Sequence, residues 1–76
     1  MVAQRRYELK VILDRLSTAS NELRGLSEEE SAAFNSTPES MRQSIRAAAH
    51  QEASEILSEA AMSVDDLVQA LSLLLG

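Results

Sequence analysis

The side chains of this 76-residue chain that could perform chemistry are one histidine, scattered carboxylates and eleven serines. His50 is the only histidine, and Glu52 and Glu55 do not stand at the four-residue spacing that would pair them with it on a helix. One nitrogen ligand beside scattered acids is not the pattern of a metal site. We therefore expect His50 to lie on the surface or to pack between helices, and we predict no metal and no cofactor.

The serines lack the partners that nucleophilic catalysis requires. Neither common pattern of an activated serine, Gly-x-Ser-x-Gly or Ser-x-x-Lys, occurs in the sequence. With only two glycines, the chain also has no glycine-rich loop that could bind a phosphate. The sequence therefore predicts no catalytic residues and a protein that is not an enzyme.

Positive charge is concentrated at the start of the chain. The net charge of −5 disfavours nucleic acid as a partner, but Arg5, Arg6, Tyr7 and Lys10 lie within two turns of a predicted helix. Arginine and tyrosine are enriched among the residues that dominate protein interfaces. We predict these four residues as a partner-binding surface. The alternative left open is that they pair with the chain's own acidic residues.

The first third of the chain carries the clearest periodic pattern. Gly25 is typical of a helix end, and Ser27 to Glu30 form a capping box typical of a helix start. The pattern predicts one helix over residues 2–25 and a short second helix over residues 28–35. Along the first helix, apolar residues recur at steps of three and four, the spacing of a heptad seam: Leu9, Ile12, Leu16, Ala19, Leu23 and Leu26.

Pro38 and Ser63 divide the rest of the chain. Proline suits the first position of a helix, so Thr37 is the expected cap of a third helix over residues 38–62. Ser63 is followed by Val64 and two aspartates, which is typical of another helix start and predicts a last helix over residues 64–75. One continuous helix from Pro38 is the alternative.

The predicted fold class is all-α: an antiparallel helical hairpin with a short helix at the turn and a short C-terminal helix. The whole chain, residues 1–76, is expected to be one domain. A chain this short buries little apolar surface, and without cysteines it has no disulfide to compensate. Self-association is the usual remedy, so we predict a homodimer that forms a helical bundle.

The last predicted helix is too apolar for a freely solvated end. We predict four of its residues as the self-association surface. The alternative is that they fold back onto their own hairpin. The four residues are Leu67, Leu71, Leu74 and Leu75.

These observations favour a small regulator or adaptor, such as an inhibitor, chaperone or assembly factor, that binds another protein through a helical surface. Two alternatives stay open: a nucleic-acid-associated regulator that uses the basic N-terminal helices of a dimer, and a structural subunit of a larger assembly. No apolar run approaches the roughly 18 residues of a membrane span, and the N-terminus lacks the apolar stretch of a signal peptide. A cytoplasmic protein without a membrane partner is therefore expected.

Overall fold

Two long α-helices make up most of the molecule. The computed structural model describes all residues, Met1–Gly76, and it contains α1 (Ala3–Asn35) and α2 (Ile45–Ser72), which pack against each other as an antiparallel hairpin. One 3-10 turn, Glu39–Met41, lies in the connection, and another, Leu73–Leu75, follows α2. The hairpin is a rod of 59 × 14 × 14 Å. The all-α prediction and the pairing of two long helices are confirmed.

The first helix continues ten residues beyond its predicted end. Gly25 is an exposed helical residue, and nothing lies within 4 Å of the position that a Cβ would take there. A glycine costs a helix only about 1 kcal/mol relative to alanine, and the packing of α1 on α2 offsets that cost. The predicted separate helix over residues 28–35 is wrong. Ser27 does not cap a helix, and its hydroxyl instead donates to the carbonyl oxygen of Ser54, 2.8 Å away.

The second long helix begins later than predicted and has no break. It begins after Ser44, whose hydroxyl accepts a hydrogen bond from the backbone N–H of Ala47 at 3.2 Å. Pro38 instead precedes the first 3-10 turn. The helix then passes through Ser63 without interruption, because the residues on both sides of it pack on α1. The predicted start at Pro38 and the predicted break at Ser63 are therefore wrong. The alternative of one continuous helix from Pro38 is right that the helix does not break at Ser63 and wrong about where the helix begins.

The connection between the helices is held by hydrogen bonds of its own. The Thr37 hydroxyl donates to the carbonyl oxygen of Ala33 at 3.0 Å. The guanidinium of Arg42 donates to the carbonyl oxygens of Thr37 and Asn35 at 3.3 and 3.4 Å. The same guanidinium lies 5.9 Å from the ring centre of Phe34, within the range of a cation–π contact. These contacts therefore fix the conformation of the turn that joins the two antiparallel helices.

The core between the two helices is thin. Only five residues are 9% exposed or less. Two of them are alanines, whose small side chains let the helix backbones approach each other closely. A single hairpin therefore removes few large apolar side chains from water. The five buried residues are Leu9, Leu13, Ser20, Ala47 and Ala61.

Candidate interaction surface

A polar cluster joins the two helices near their middle. Ser20 is only 1% exposed, and its hydroxyl donates to Asp65 Oδ1 at 2.7 Å and lies 3.2 Å from the carbonyl oxygen of Ala61. Arg24 Nη1 donates to the Ser20 hydroxyl at 2.8 Å, and Arg24 Nη2 pairs with the other Asp65 oxygen. The hydrogen bonds from Ser20 and Arg24 lower the pKa of Asp65 below its ordinary value. A carboxylate held ionised in this way is a weak base, so the cluster orders the hairpin rather than activating Ser20.

Two further polar pairs join the helices toward the turn. The Ser27 hydroxyl donates to the Ser54 carbonyl oxygen, and the Ser54 hydroxyl donates back to the Ser27 carbonyl oxygen at 3.0 Å. His50 Nδ1 lies 2.6 Å from Glu30 Oε2, so His50 packs within the hairpin. No buried side-chain nitrogen or oxygen lacks a hydrogen-bond partner. Sliding one helix along the other would break these pairs, and leaving buried polar groups unpaired is costly. The pairs therefore fix the register of the hairpin.

The apolar residues of α1 extend beyond the face that packs on α2. Ile12 and Leu26 are 46% and 49% exposed, although both belong to the predicted heptad seam. Three apolar residues of α1 each stand one position before a buried or half-buried residue, and one position is about 100° around the helix. Val11 and Leu16 do not follow this offset. The apolar stripe of α1 therefore turns away from α2 toward one side. The pairs are Ile12 before Leu13, Ala19 before Ser20, and Leu26 before Ser27.

The second helix repeats this offset. Ile56 and Leu67 of α2 and Leu74 of the following 3-10 turn are between 53% and 57% exposed. Ile45 and Met62 of α2 are also exposed and do not share the offset. An antiparallel pair of right-handed helices has an approximate twofold axis perpendicular to the plane that contains both helices. An equal offset on both helices therefore brings the two stripes to the same side of the hairpin. The pairs are Ile56 before Leu57, Ala60 before Ala61, Leu67 before Val68, and Leu74 before Leu75.

The hairpin therefore has two different sides. We call the side that bears the offset stripes the apolar side, and its apolar residues are Ile12, Ala19, Leu26, Ala49, Ala53, Ile56, Ala60, Leu67 and Leu74. The same offset places two charged residues, Glu8 and Arg46, toward the ends of this side. We call the opposite side the polar side. It includes the following residues, which are all exposed and all polar except Ala48 and Met62: Lys10, Asp14, Asn21, Glu28, Ala48, Gln51, Glu55, Ser58, Met62 and Gln69.

The structure separates the four predicted self-association residues. Leu67 and Leu74 lie on the apolar side, exposed. Leu71 is half-buried at the border of that side, and Leu75 is half-buried with its carbonyl oxygen bonded to Arg6. The prediction did not include Ile56, which lies on the apolar side with Leu67. Adjacent apolar residues within one helix, such as Ile56 and Leu57, are the sequence signal that would have identified it, since neighbours in a helix face different directions.

The structure also separates the predicted partner-binding residues. Arg5, Tyr7 and Lys10 are exposed, and Tyr7 is 69% exposed. Arg6 is half-buried, and its Nη2 donates to the carbonyl oxygen of Leu75 at 2.6 Å. The Arg6 side chain therefore holds the two ends of the chain together, and one of its nitrogens is engaged within the chain.

A shallow groove on the outer edge of α1 surrounds Tyr7. Its other lining residues are Glu8, Val11, Ile12 and Arg15, which the sequence did not assign to the partner-binding surface. The alternative, in which the N-terminal basic residues pair with the chain's own acids, is not seen in the structure. The ion pair of the molecule joins Arg24 to Asp65, and the contact between His50 and Glu30 is the other close approach of a basic side chain to a carboxylate; neither contact involves Arg5, Arg6 or Lys10.

The structure brings no three side chains that could ligate a metal ion close together. Neither long helix contains an apolar stretch that could cross a membrane. Comparison with protein-family models, with curated proteins and with solved structures finds no match to this chain.

Proposed function

We propose that this chain is a small, non-enzymatic regulator or adaptor that binds protein through a helical surface and works as a homodimer. The observation that supports the proposal is the exposed apolar side of the hairpin. Contiguous apolar surface of this extent on a soluble chain is typical of a protein-binding site.

The size of the apolar side suits a stable dimer. One whole face of the hairpin measures 59 Å by 14 Å, or about 800 Å², so an interface that covers the face around the apolar side reaches the area that each partner contributes to a standard protein interface. Burying apolar surface stabilises an assembly by about 25 cal/mol for each Å². The second copy therefore supplies the apolar burial that the thin core of one hairpin does not.

The direction of the apolar stripes also suits a four-helix bundle. In such a bundle each helix contacts two neighbours, the other helix of its own hairpin and a helix of the partner subunit. Seen along the bundle axis, the directions to these two neighbours are roughly at right angles. The apolar stripe of each helix must then be broad and rotated from the first neighbour toward the second, as on both helices here. Ala19 and Ala60 lie near the middle of the apolar side, where small residues allow two crossing helices to approach closely.

The outer edge of α1 is the proposed contact for a target protein. Ile12 at one edge of the groove belongs to the apolar side and is covered in the proposed dimer, whereas Tyr7 lies farther around α1, off the apolar side, and stays accessible. The exposed charges around them are mixed, with Arg5, Lys10 and Arg15 beside Glu8 and Asp14. A mixed surface suits a protein partner better than the uniformly basic surface that binds a phosphate backbone.

A matched pair of variants tests the proposal. Leu67→Glu places a carboxylate on the apolar side, whereas Gln69→Glu adds the same charge on the polar side of the same helix. We expect Leu67→Glu to raise the dissociation constant of the dimer at least about 100-fold, because burying an unpaired charge costs several kcal/mol. Gln69→Glu should leave it near the wild-type value.

Sedimentation equilibrium measures these dissociation constants, and circular dichroism of the same samples reports whether the released monomer keeps its helices. Loss of helix together with the dimer would mean that folding and pairing are coupled. Equal dissociation constants for the two variants would contradict the proposed surface.

A further inference from the structure

We infer that the two copies pair with their turns at opposite ends, so that α1 packs against α1 of the partner subunit and α2 against α2. This arrangement presupposes the proposed homodimer. It specifies which of two possible bundles the apolar sides form, and where the dimer presents its two Tyr7 grooves.

Two twofold arrangements cover both apolar sides. With the axis parallel to the rod, both turns lie at the same end and α1 lies over α2 of the partner subunit. With the axis across the rod, the turns lie at opposite ends and each helix lies over its own equivalent. Both arrangements make every neighbouring pair of helices antiparallel, so helix direction alone does not decide between them.

The charge distribution decides between them. The half of the hairpin near the turn, residues 21–60, contains eight carboxylates and three arginines, whereas the remaining residues contain four of each sign. Turns at the same end would place two halves of charge −5 side by side. Turns at opposite ends place each acidic half beside a neutral half, which lowers the repulsion between the copies.

The first helix alone shows the same complementarity. Residues 3–18 contain four basic and two acidic side chains, and residues 20–35 contain one basic and four acidic side chains. When α1 packs antiparallel on α1 of the partner subunit, the positive half of each copy meets the negative half of the other. The attraction therefore occurs twice, once on each side of the axis.

The apolar residues of α1 are also arranged symmetrically about its middle. Ala19 is the central residue of Ala3–Asn35, and Ile12 and Leu26 stand seven residues to either side of it. A twofold axis at Ala19 therefore sets Ile12 against Leu26 of the partner subunit. A large residue then lies on each side of Ala19 at the crossing point, where the small alanine side chain lets the two helices approach closely.

The same axis gives a matching arrangement on α2. Ser20 and Ala61 face each other across the hairpin, so the axis crosses α2 close to Ala61. Ile56 and Leu67 stand about equally far from that point on either side. Ile56 of one copy then lies against Leu67 of the partner subunit, again with small residues between the two contacts.

This arrangement has a consequence for function. Each copy presents its Tyr7 groove near the end of the rod where its chain begins, and the two copies begin at opposite ends. The dimer then holds two partner-binding surfaces about 35 Å apart along the rod, and it bridges two partner molecules instead of clasping one.

Distances between spin labels test the arrangement. The chain has no cysteine, so single substitutions Gln4→Cys and Thr18→Cys, both at exposed positions on α1, place one label on each copy. With turns at opposite ends, position 4 of one copy lies level with position 34 of the other, so the labels at Gln4→Cys lie about 45 Å apart. With turns at the same end they lie less than about 30 Å apart. Labels at Thr18→Cys lie less than about 30 Å apart in both arrangements.

The two labels distinguish failure of the arrangement from failure of the dimer. Pulsed electron paramagnetic resonance should give a short distance at Thr18→Cys and a long one at Gln4→Cys. Short distances at both positions would overturn the inference and leave the homodimer standing. The absence of any distance at both positions, in samples labelled to completion, would contradict the homodimer itself.

Discussion

Asp65 is held ionised by the hydroxyl of Ser20 and the guanidinium of Arg24 at the centre of the hairpin. The cluster joins a residue of α2 to two residues of α1, so it exists only when the helices are paired in the observed register. A group whose pKa is lower in the folded chain than in the unfolded chain stabilises the fold wherever it is ionised. The contribution of Asp65 is therefore complete above its unfolded pKa of about 3.9 and is lost as the pH falls through its folded pKa.

The first prediction concerns this acid sensitivity. Asp65→Asn removes the ionisable group, so the melting temperature of the variant should depend less steeply on pH than that of the wild type below about pH 4. Asp66→Asn is the matched control, because the neighbouring Asp66 is exposed and has no hydrogen-bonded partner on α1. Thermal unfolding followed by circular dichroism in steps of pH gives both slopes. The same slope for the two variants would show that the cluster does not stabilise the fold.

The sequence was enough to predict the surroundings of some residues and not of others. Packing of His50 within the hairpin was one of the two roles expected for it, because no second metal ligand stood at the right spacing. The burial of Ser20 was not predicted, since serine is mostly exposed in folded proteins and nothing local indicates that it faces Asp65. The engagement of Arg6 with Leu75 could not be predicted either, because it depends on how far α2 extends.

At the scale of the helices, tertiary packing overrides local signals. Gly25 and the capping box at Ser27 both predict a helix end, and Ser63 predicts a break, yet α1 and α2 pass through all three. Each local preference typically contributes about 1 kcal/mol, and a helix cap at most about 2 kcal/mol. Continuous helices keep both partners in contact along the hairpin, and that contact outweighs the local preferences. The heptad pattern was the stronger signal because it reports on packing itself.

The second prediction concerns the continuity of α1. Gly25→Ala should raise the free energy of unfolding by about 0.5–1 kcal/mol, because alanine favours helix and its Cβ would meet no atom. Gly25→Pro should lower it by about 3 kcal/mol, because proline removes a backbone donor and clashes with the preceding turn. Urea unfolding followed by circular dichroism measures both changes. A destabilising Gly25→Ala would indicate a helix end at this residue.

At the scale of the whole molecule, the contrast between the two sides of the hairpin is the basis of the proposed dimer. One chain leaves the apolar side exposed, and in the proposed bundle a second copy covers it while the polar side faces water. Periodicity was enough to predict the all-α hairpin, and Leu67 and Leu74 were predicted by name as self-association residues. Periodicity could not show which apolar residues face the chain's own second helix and which face outward, because a broad stripe fits either one neighbour or two.

The solution mass of the wild-type chain tests most directly whether the hairpin is half of a four-helix bundle. Light scattering and sedimentation equilibrium over concentrations of about 1 to 100 μM would determine it. We expect a species of twice the 8.3 kDa of one chain, which dissociates only on dilution. A fully helical species of 8.3 kDa at every concentration would contradict the dimer, because the apolar side would then be stable in water without a second copy.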